Sequence, residues 1–388
     1  MNRNPIKNQV AIAAATSTGF VPHNSERSQA SLAAQACIDV MRQCNLSPAD
    51  IDGVCGSWPS AAVIQSTLGI PRTTWSANPV IPFGNQVVAA ASAVFSGVAN
   101  VVLVYHAAYR LPWNTGSSLR DPFRRIATPG LNDPMPGPET VAGSTGYTAW
   151  AARYIHEFGL TKEPFGLIAI NDRTNAADNP LAAMRKPITM ADYLSARIIR
   201  TPLCLLDMDV PVDGADAFII TTAERARDME LPAVLINSMA LGQIDHSEED
   251  QTPDLYSNGQ RVVIDTLKAK SDFWIDDVDV YFPYDGFTPI ALSWIENAGW
   301  CGRGEAGEFL RHNWDGEAQR ILIHGRIPVN PHGGSLSEGG TQGSGHVREA
   351  VHQLQGIAGP RQVAGARTAI VTPGGFFFNA QGMTLCTE

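Results

Sequence analysis

The side chains best placed to do chemistry gather in residues 330–346, where His332, Glu338 and His346 stand among glycines and little else is ionisable. Seven glycines fall between Gly325 and Gly345, so the backbone there can take positive φ and let a ligand approach the main chain closely. Gly333, Gly334 and Ser335 are the expected ligand-facing positions. The amphipathic run that follows (Val347, Ala350, Val351, Leu354) predicts a helix, whose free N–H groups and dipole would favour developing negative charge at the end of the loop. Tyr284, just after the apolar run 278–282, adds a hydroxyl able to exchange a proton. Each of these residues also has a plainer account. His332 could be a loop histidine bonded to a main-chain carbonyl, Tyr284 a buried hydroxyl satisfied by the backbone, Glu338 a charge complementing the helix start, and His346 an exposed residue of that helix's first turn. Asp285 is expected to orient the loop. Tyr105 and His106 close a strand, and Gly374-Gly375 could offer N–H groups to an oxyanion, though a strand-to-strand turn explains that pair as well.

Several elements must position this window. Residues 8–15 read as a strand, 28–44 as a helix, 51–55 as a second strand, 87–95 as an Ala-rich helix opening at Gly84-Asn85, and 100–105 as a central strand covered on both faces. Between 107 and 201 the pattern breaks, with Pro, Gly, Asp and Arg clustered at 112–138 and helical stretches at 149–158 and 165–177; a loop or cap excursion is expected. A strand at 218–222 closes a first half, residues 1–230. The second half, 231–388, begins again: strand 233–237, helix 256–268, a segment 274–281 resembling 47–54, helix 290–298, the glycine window, and 367–371 paralleling 100–104. Residues 345–354 hold the place of Gly84–Phe95. Two βαβ-type halves follow, each expected to form a mostly parallel sheet with helices on its faces.

Composition narrows the function. Of 388 residues 44% are hydrophobic and 17% charged, which describes a packed globular protein, and a net charge of -10 argues against a nucleic-acid surface. No secretion leader is visible at the N-terminus and no apolar run approaches the roughly 20 residues of a membrane span, so a cytoplasmic protein is expected. Cys37, Cys44, Cys55, Cys204, Cys301 and Cys386 are scattered without a CxxC pair, which predicts reduced thiols and no metal site.

These elements, with the phrases LCLLDMDVPVDGADA (203–217), VDVYFPYDGFTPIAL (278–292) and NPHGGSLSEGG (330–340), resemble the thiolase superfamily, in particular its sterol-carrier-protein-type branch, over essentially the whole chain. The resemblance implies an α/β thiolase fold, two similar halves in a five-layer αβαβα core, a homodimer and acyl-CoA substrates. The departures decide the chemistry. Residues 78–86, where the acyl-carrying cysteine of a condensing thiolase would open the central helix, hold no Cys, Ser or Thr. The second thiolase cysteine is missing near Thr372-Pro373-Gly374-Gly375, and Gly339-Gly340-Thr341 replaces the GHP triplet. What remains resembles the thiolase-like aldolases that remove steroid side chains, which implies retro-aldol cleavage of a 3-hydroxyacyl-CoA without an acyl-enzyme. Tyr284 would then move the proton and His332 hold the thioester oxygen, with His346 standing in for the lost histidine; the family's second tyrosine is Gly340 here. The resemblance further implies no cofactor beyond the coenzyme A of the substrate and a small OB-fold partner bearing a zinc ribbon. A thiolase-type acyltransferase, or a non-catalytic subunit that only holds acyl-CoA or a partner, are the competing functions.

Overall fold

The computed structural model describes residues 4–22, 25–79, 82–109, 145–244, 254–375 and 379–388. The Pro-rich cluster at 112–138 lies outside them. In the first half, β1 (Val10–Ser17) leads to helix α1 (Gln29–Gln43), β2 (Gly53–Gly56), α2 (Ala61–Leu68), β3 (Trp75–Ala77), α3 (Gly84–Phe95) and β4 (Val101–Ala108). Helices α4 (Thr145–Phe158) and α5 (Glu163–Ala177) come from the excursion, and β5 (Val212–Thr222) returns to the sheet. The second half runs β6 (Val234–Gly242), α6 (Gly259–Lys270), β7 (Val280–Pro283), α7 (Thr288–Ala298), the glycine window, α8 (Ser344–Gln355), β8 (Thr368–Thr372) and β9 (Ala380–Cys386). Local chemistry sets several ends: the Ser28 side chain accepts the Ser31 N–H at the start of α1, and Asn258 caps α6 through the Gln260 N–H.

The strands lie in the order β7-β8-β9-β6-β1-β5-β4-β2-β3. Each half repeats one arrangement: β4 pairs parallel with β2, and β8 with β7, while the last strand of each half, β5 or β9, runs antiparallel to both of its neighbours. The sheet is therefore mixed, which corrects the mostly parallel arrangement expected above. The physical reason is that β5 and β9 do not reach their places through a helical crossover that returns the chain to the same sheet end. Strand alternation then sorts the core. Leu103, Tyr105 and Ile219 face α1 and α2 on one side, while Val102, Val104, Phe218 and Ile220 face the middle of the molecule. There α3 and α8 lie together, Val87, Val94, Val347 and Val351 packing on strands of both halves. A third cluster joins α6 and α7 to the far side of the second half, with α4 and α5 against them. Outer helices of the first half, its strands, the α3–α8 pair, the strands of the second half and the helices beyond them give the five-layer order.

Candidate active site

The glycine window is built into the interior. Every residue from Asn330 to Thr341 is buried, and the segment Gly334–Glu338 forms a single π turn. Helix α5 is its floor: Asn171 and Asn175 donate to the Val329 carbonyl at 3.0 and 2.9 Å, and Asn175 also to the Asn330 carbonyl. Asn330 ties the window to β7, its N–H donating to the Tyr281 carbonyl (3.1 Å) and its side chain to the Pro283 carbonyl (2.9 Å). The glycines answer to these neighbours. A Cβ on Gly333, at φ +100°, would come within 2.6 Å of the Ala176 side chain, and one on Gly334 would enter the Asp285 carboxylate. The close approach that Gly333 and Gly334 permit is thus made by the protein's own helix and carboxylate, a different cause from the ligand expected in the sequence.

Three rings meet at the window. His332 and His346 stand edge-to-face with centroids 4.8 Å apart, and Tyr284 lies 5.5 Å from His346. His332 and His346 have no solvent exposure, while Tyr284 keeps 6% and is the most exposed of the three rings. Neither ring nitrogen of His332 has a partner, so the alternative of a ring held by a main-chain carbonyl is not what the structure shows. An unpaired buried imidazole is a cost that a fold does not ordinarily carry. Burial, then the charges of His346, Arg348 and Arg361, hold its pKa well below the usual histidine range. His346 is fully buried, which corrects the reading of an exposed first turn: α8 is the middle layer and has no solvent face at its start. Its Nε2 lies 2.8 Å from Asp285 Oδ1, and its Nδ1 has no partner.

Asp285 does orient the loop, accepting the Ser335 and Leu336 N–H groups at 2.7 and 2.9 Å besides the His346 ring. Glu338 turns to a second network, where it pairs with Arg348 and accepts from Asn179 at 2.7 Å; Asn179 also donates to the His332 carbonyl at 2.8 Å. Arg348 reaches Asp216 at 2.7 Å, and Asp216 takes the Ser344 hydroxyl at 2.6 Å. Burial outweighs the Arg348 charge and lifts Glu338 to about 7. Gly374 and Gly375 follow Thr372, whose carbonyl takes the Tyr284 N–H, and the Gly374 carbonyl accepts the Trp294 indole at 2.8 Å. Tyr105 donates its hydroxyl to the Pro59 carbonyl beneath Gly56 and is a core residue, while His106 stands beside Phe83. Sequence reasoning missed Asn171, Asn175, Asn179, Arg348 and Asp216. The polar run Asn171-Asp172-Arg173-Thr174-Asn175, set against the apolar 165–170 of the same helix, was the available signal.

At the start of α3, where a condensing thiolase would carry its nucleophile, the capping residue is Phe83, fully buried against Phe218 at 4.7 Å. A phenyl ring can carry no acyl group. Burial raises all six cysteines, Cys55 to about 12 and Cys204 to about 11, so none is poised as a thiolate. A variant with all six changed to Ala or Ser, once shown to fold, should keep most of its activity; loss of activity from one change with folding intact would restore an acyl-enzyme.

The His332 shift also predicts a pH effect. An unfolded imidazole takes up a proton below about pH 6.5, whereas His332 stays neutral in the fold, so the unfolded state binds more protons and stability falls as pH drops. The group accounts for up to about 1.4 kcal/mol per pH unit. Urea unfolding from pH about 7.5 to about 5.5 should show a shallower loss for His332→Asn than for the parent, because Asp285 and His352, also held low, act alike in both. Equal slopes would mean that His332 is charged when folded.

Two halves with one strand order, a shared layer of central helices and a site where the second of those helices begins define a protein of thiolase type. A family model described as thiolase C-terminal domain-like matches residues 242–388. The 17-hydroxy-3-oxo-4-pregnene-20-carboxyl-CoA lyase of Mycobacterium tuberculosis is 34% identical over 95% of this chain and 97% of its own. A steroid side-chain-cleaving aldolase of Thermomonospora curvata is 32% identical over 94% of each chain. Among solved structures, the Ltp2-ChsH2(DUF35) aldolase superposes with a TM-score of 0.84 at 30% identity over 99% of both chains. Human mitochondrial 3-ketoacyl-CoA thiolase shares the fold, with a TM-score of 0.65 at 15% identity over 98% of each chain. The chain belongs to the thiolase superfamily, in the sterol-carrier-protein-type branch that holds the steroid side-chain-cleaving lyases.

Proposed function

We propose that this protein is an aldolase that cleaves a 3-hydroxyacyl-CoA, a steroid side-chain thioester, into a carbonyl compound and a shorter acyl-CoA. The observation that carries the reading is the exchange of machinery: Phe83 closes the nucleophile position, while His332, His346 and Tyr284 meet in a buried polar cluster. In the reaction a base takes the hydroxyl proton, the oxygen's electrons become the new C=O, and the bond between the α and β carbons breaks. Its electron pair passes to the thioester as an enolate, which is then protonated at carbon. Electrons and protons stay within substrate and site, so the chemistry calls for no redox cofactor, and coenzyme A arrives with the acyl group as part of the substrate. Tyr284 exchanges the proton and His332 faces the thioester oxygen, where a fixed donor acts most strongly as enolate charge develops. Gly333, Gly334, Ser335, Gly374 and Gly375 are the positions assigned to the thioester in this reading, and Glu338, bonded to Arg348 and Asn179, supports the loop. Incubation with a 3-hydroxyacyl-CoA, followed for the released carbonyl compound and the shortened thioester, tests this; an intact substrate under conditions where it binds would overturn it.

The solved aldolase named above is a complex with a DUF35 protein, and this supports a small OB-fold, zinc-ribbon partner here. Strand β3 lies at the edge of the sheet, a place where a second copy could add its own edge. A homodimeric core that gains activity with such a partner is the expected assembly, checked by light scattering and by assays with and without it. No described helix is long and apolar enough to cross a membrane. Full activity of the chain alone would count against the partner.

A further inference from the structure

Asp207, Asp209, Asp213 and Asp216 stand close together on the approach to β5 and in its first turns. Three of them hold the fold. Asp207 accepts the Tyr193 and Thr288 hydroxyls and the Cys204 N–H, each at 2.7 Å. Asp213 accepts the Ser25 N–H at 2.7 Å, and Asp216 is paired with Arg348 and Ser344. All three are buried, whereas Asp209 alone of the four is half-buried.

The main chain clamps Asp209 between the two segments that carry the rings. Its N–H donates to the Gly286 carbonyl at 3.0 Å, the Val210 N–H donates to the Ser335 carbonyl at 3.1 Å, and the Val210 carbonyl takes the Gly340 N–H at 2.8 Å. Gly286 is also where the Tyr284 hydroxyl lies, since a Cβ there would stand 2.7 Å from the Tyr284 oxygen. A Cβ on Gly340 would enter the Asp209 carboxylate. Gly340 does not take positive φ, so the space that the carboxylate fills, and not the backbone, is what bars a side chain there. The carboxylate is thereby laid against the glycine window, and its own main chain is tied to the residue over which the Tyr284 hydroxyl packs.

Cleavage of a 3-hydroxyacyl-CoA moves two protons, one off the hydroxyl and one onto the enolate carbon. A phenol, neutral at pH 7 by its ordinary pKa of about 10, cannot take a proton without first losing its own, whereas a carboxylate can. We propose that Asp209 is the proton acceptor of the site. Its carboxylate takes the proton of the 3-hydroxyl as the bond between the α and β carbons breaks, and Tyr284 supplies the proton that the enolate carbon takes up. The substrate O–H bond breaks and an Asp209 O–H bond forms; Asp209 then returns that proton to the Tyr284 oxygen by way of solvent, so both groups end as they began. The proposal rests on the aldolase reading and names a catalytic residue for it.

Asp209→Asn keeps the size and the main-chain bonds and removes the basicity, so kcat should fall by about 10²-fold to 10⁴-fold with KM for the acyl-CoA within a few-fold. Asp209→Ala should lose as much, and sodium formate, compared with chloride at equal ionic strength, should restore its turnover by about 10-fold or more by supplying a carboxylate to the vacated space. Gly340→Ala, which displaces the carboxylate without removing it, should lose about 10-fold to 10²-fold and gain nothing from formate. Thermal unfolding of each variant is measured alongside. Cleavage by Asp209→Asn within a few-fold of a parent that does cleave would overturn the proposal and leave the aldolase reading intact, as would a loss in Asp209→Ala that formate does not lift. A parent that binds a 3-hydroxyacyl-CoA and leaves it intact overturns the reading and the proposal together.

Discussion

Tyr284→Phe should lower turnover of a 3-hydroxyacyl-CoA by about 10²-fold or more while leaving acyl-CoA affinity within a few-fold, and His332→Ala should do the same. A hydroxyl that exchanges a proton and an imidazole aimed at a thioester oxygen act mainly as charge moves. Affinity is expected instead from contacts to the nucleotide and pantetheine of the thioester. Phenylalanine is the cleaner change, because the Tyr284 ring packs against Gly286 and His346 and keeps both contacts without its oxygen. A single-turnover rate beside a direct binding measurement distinguishes the two effects. Near-parent cleavage by Tyr284→Phe would make the tyrosine structural and leave the proton to His346. Activity in both variants would remove the window at 330–346 from the chemistry altogether.

Arg348→Met should cost about 3–5 kcal/mol of stability, the largest effect expected from one change outside the rings. Arg348 is fully buried between Asp216 and Glu338, and the attraction of those carboxylates, with that of Glu349, outweighs burial and holds its charge firmly. Methionine fills much of the volume but leaves two buried carboxylates without their counter-charge. Adding Asp216→Asn and Glu338→Gln should recover part of the loss, since neutral amides need no cation. Denaturant midpoints of the three proteins measure this, and a single variant as stable as the parent would show that the carboxylates are neutral in the fold. Because Glu338 shares Asn179 with the His332 carbonyl, the single variant should also lose activity through a displaced loop.

Much of the architecture was legible in the sequence because it is written in short-range periods. The continuous apolar run at 100–105 marks a strand covered on both faces, helical spacing marks Gln29–Gln43 and Ser344–Gln355, and a dense run of glycines marks the window between β7 and α8. The loss of the thiolase nucleophiles was equally plain, since absence of a residue type needs no coordinates. Residues 330–346 and Tyr284 could be singled out for the same reason. Tertiary structure alone decided three things. The antiparallel course of β5 and β9 depends on which neighbour each strand meets, and side-chain pattern is the same for either direction. Burial of His346 depends on α8 lying between the strands of the two halves, a place that its own twelve residues do not encode. The Asp285–His346 contact joins the end of β7 to the start of α8, residues 61 positions apart in the chain. No periodicity reports a contact across that distance, because it is fixed by how layers stack and not by the turn of any one element.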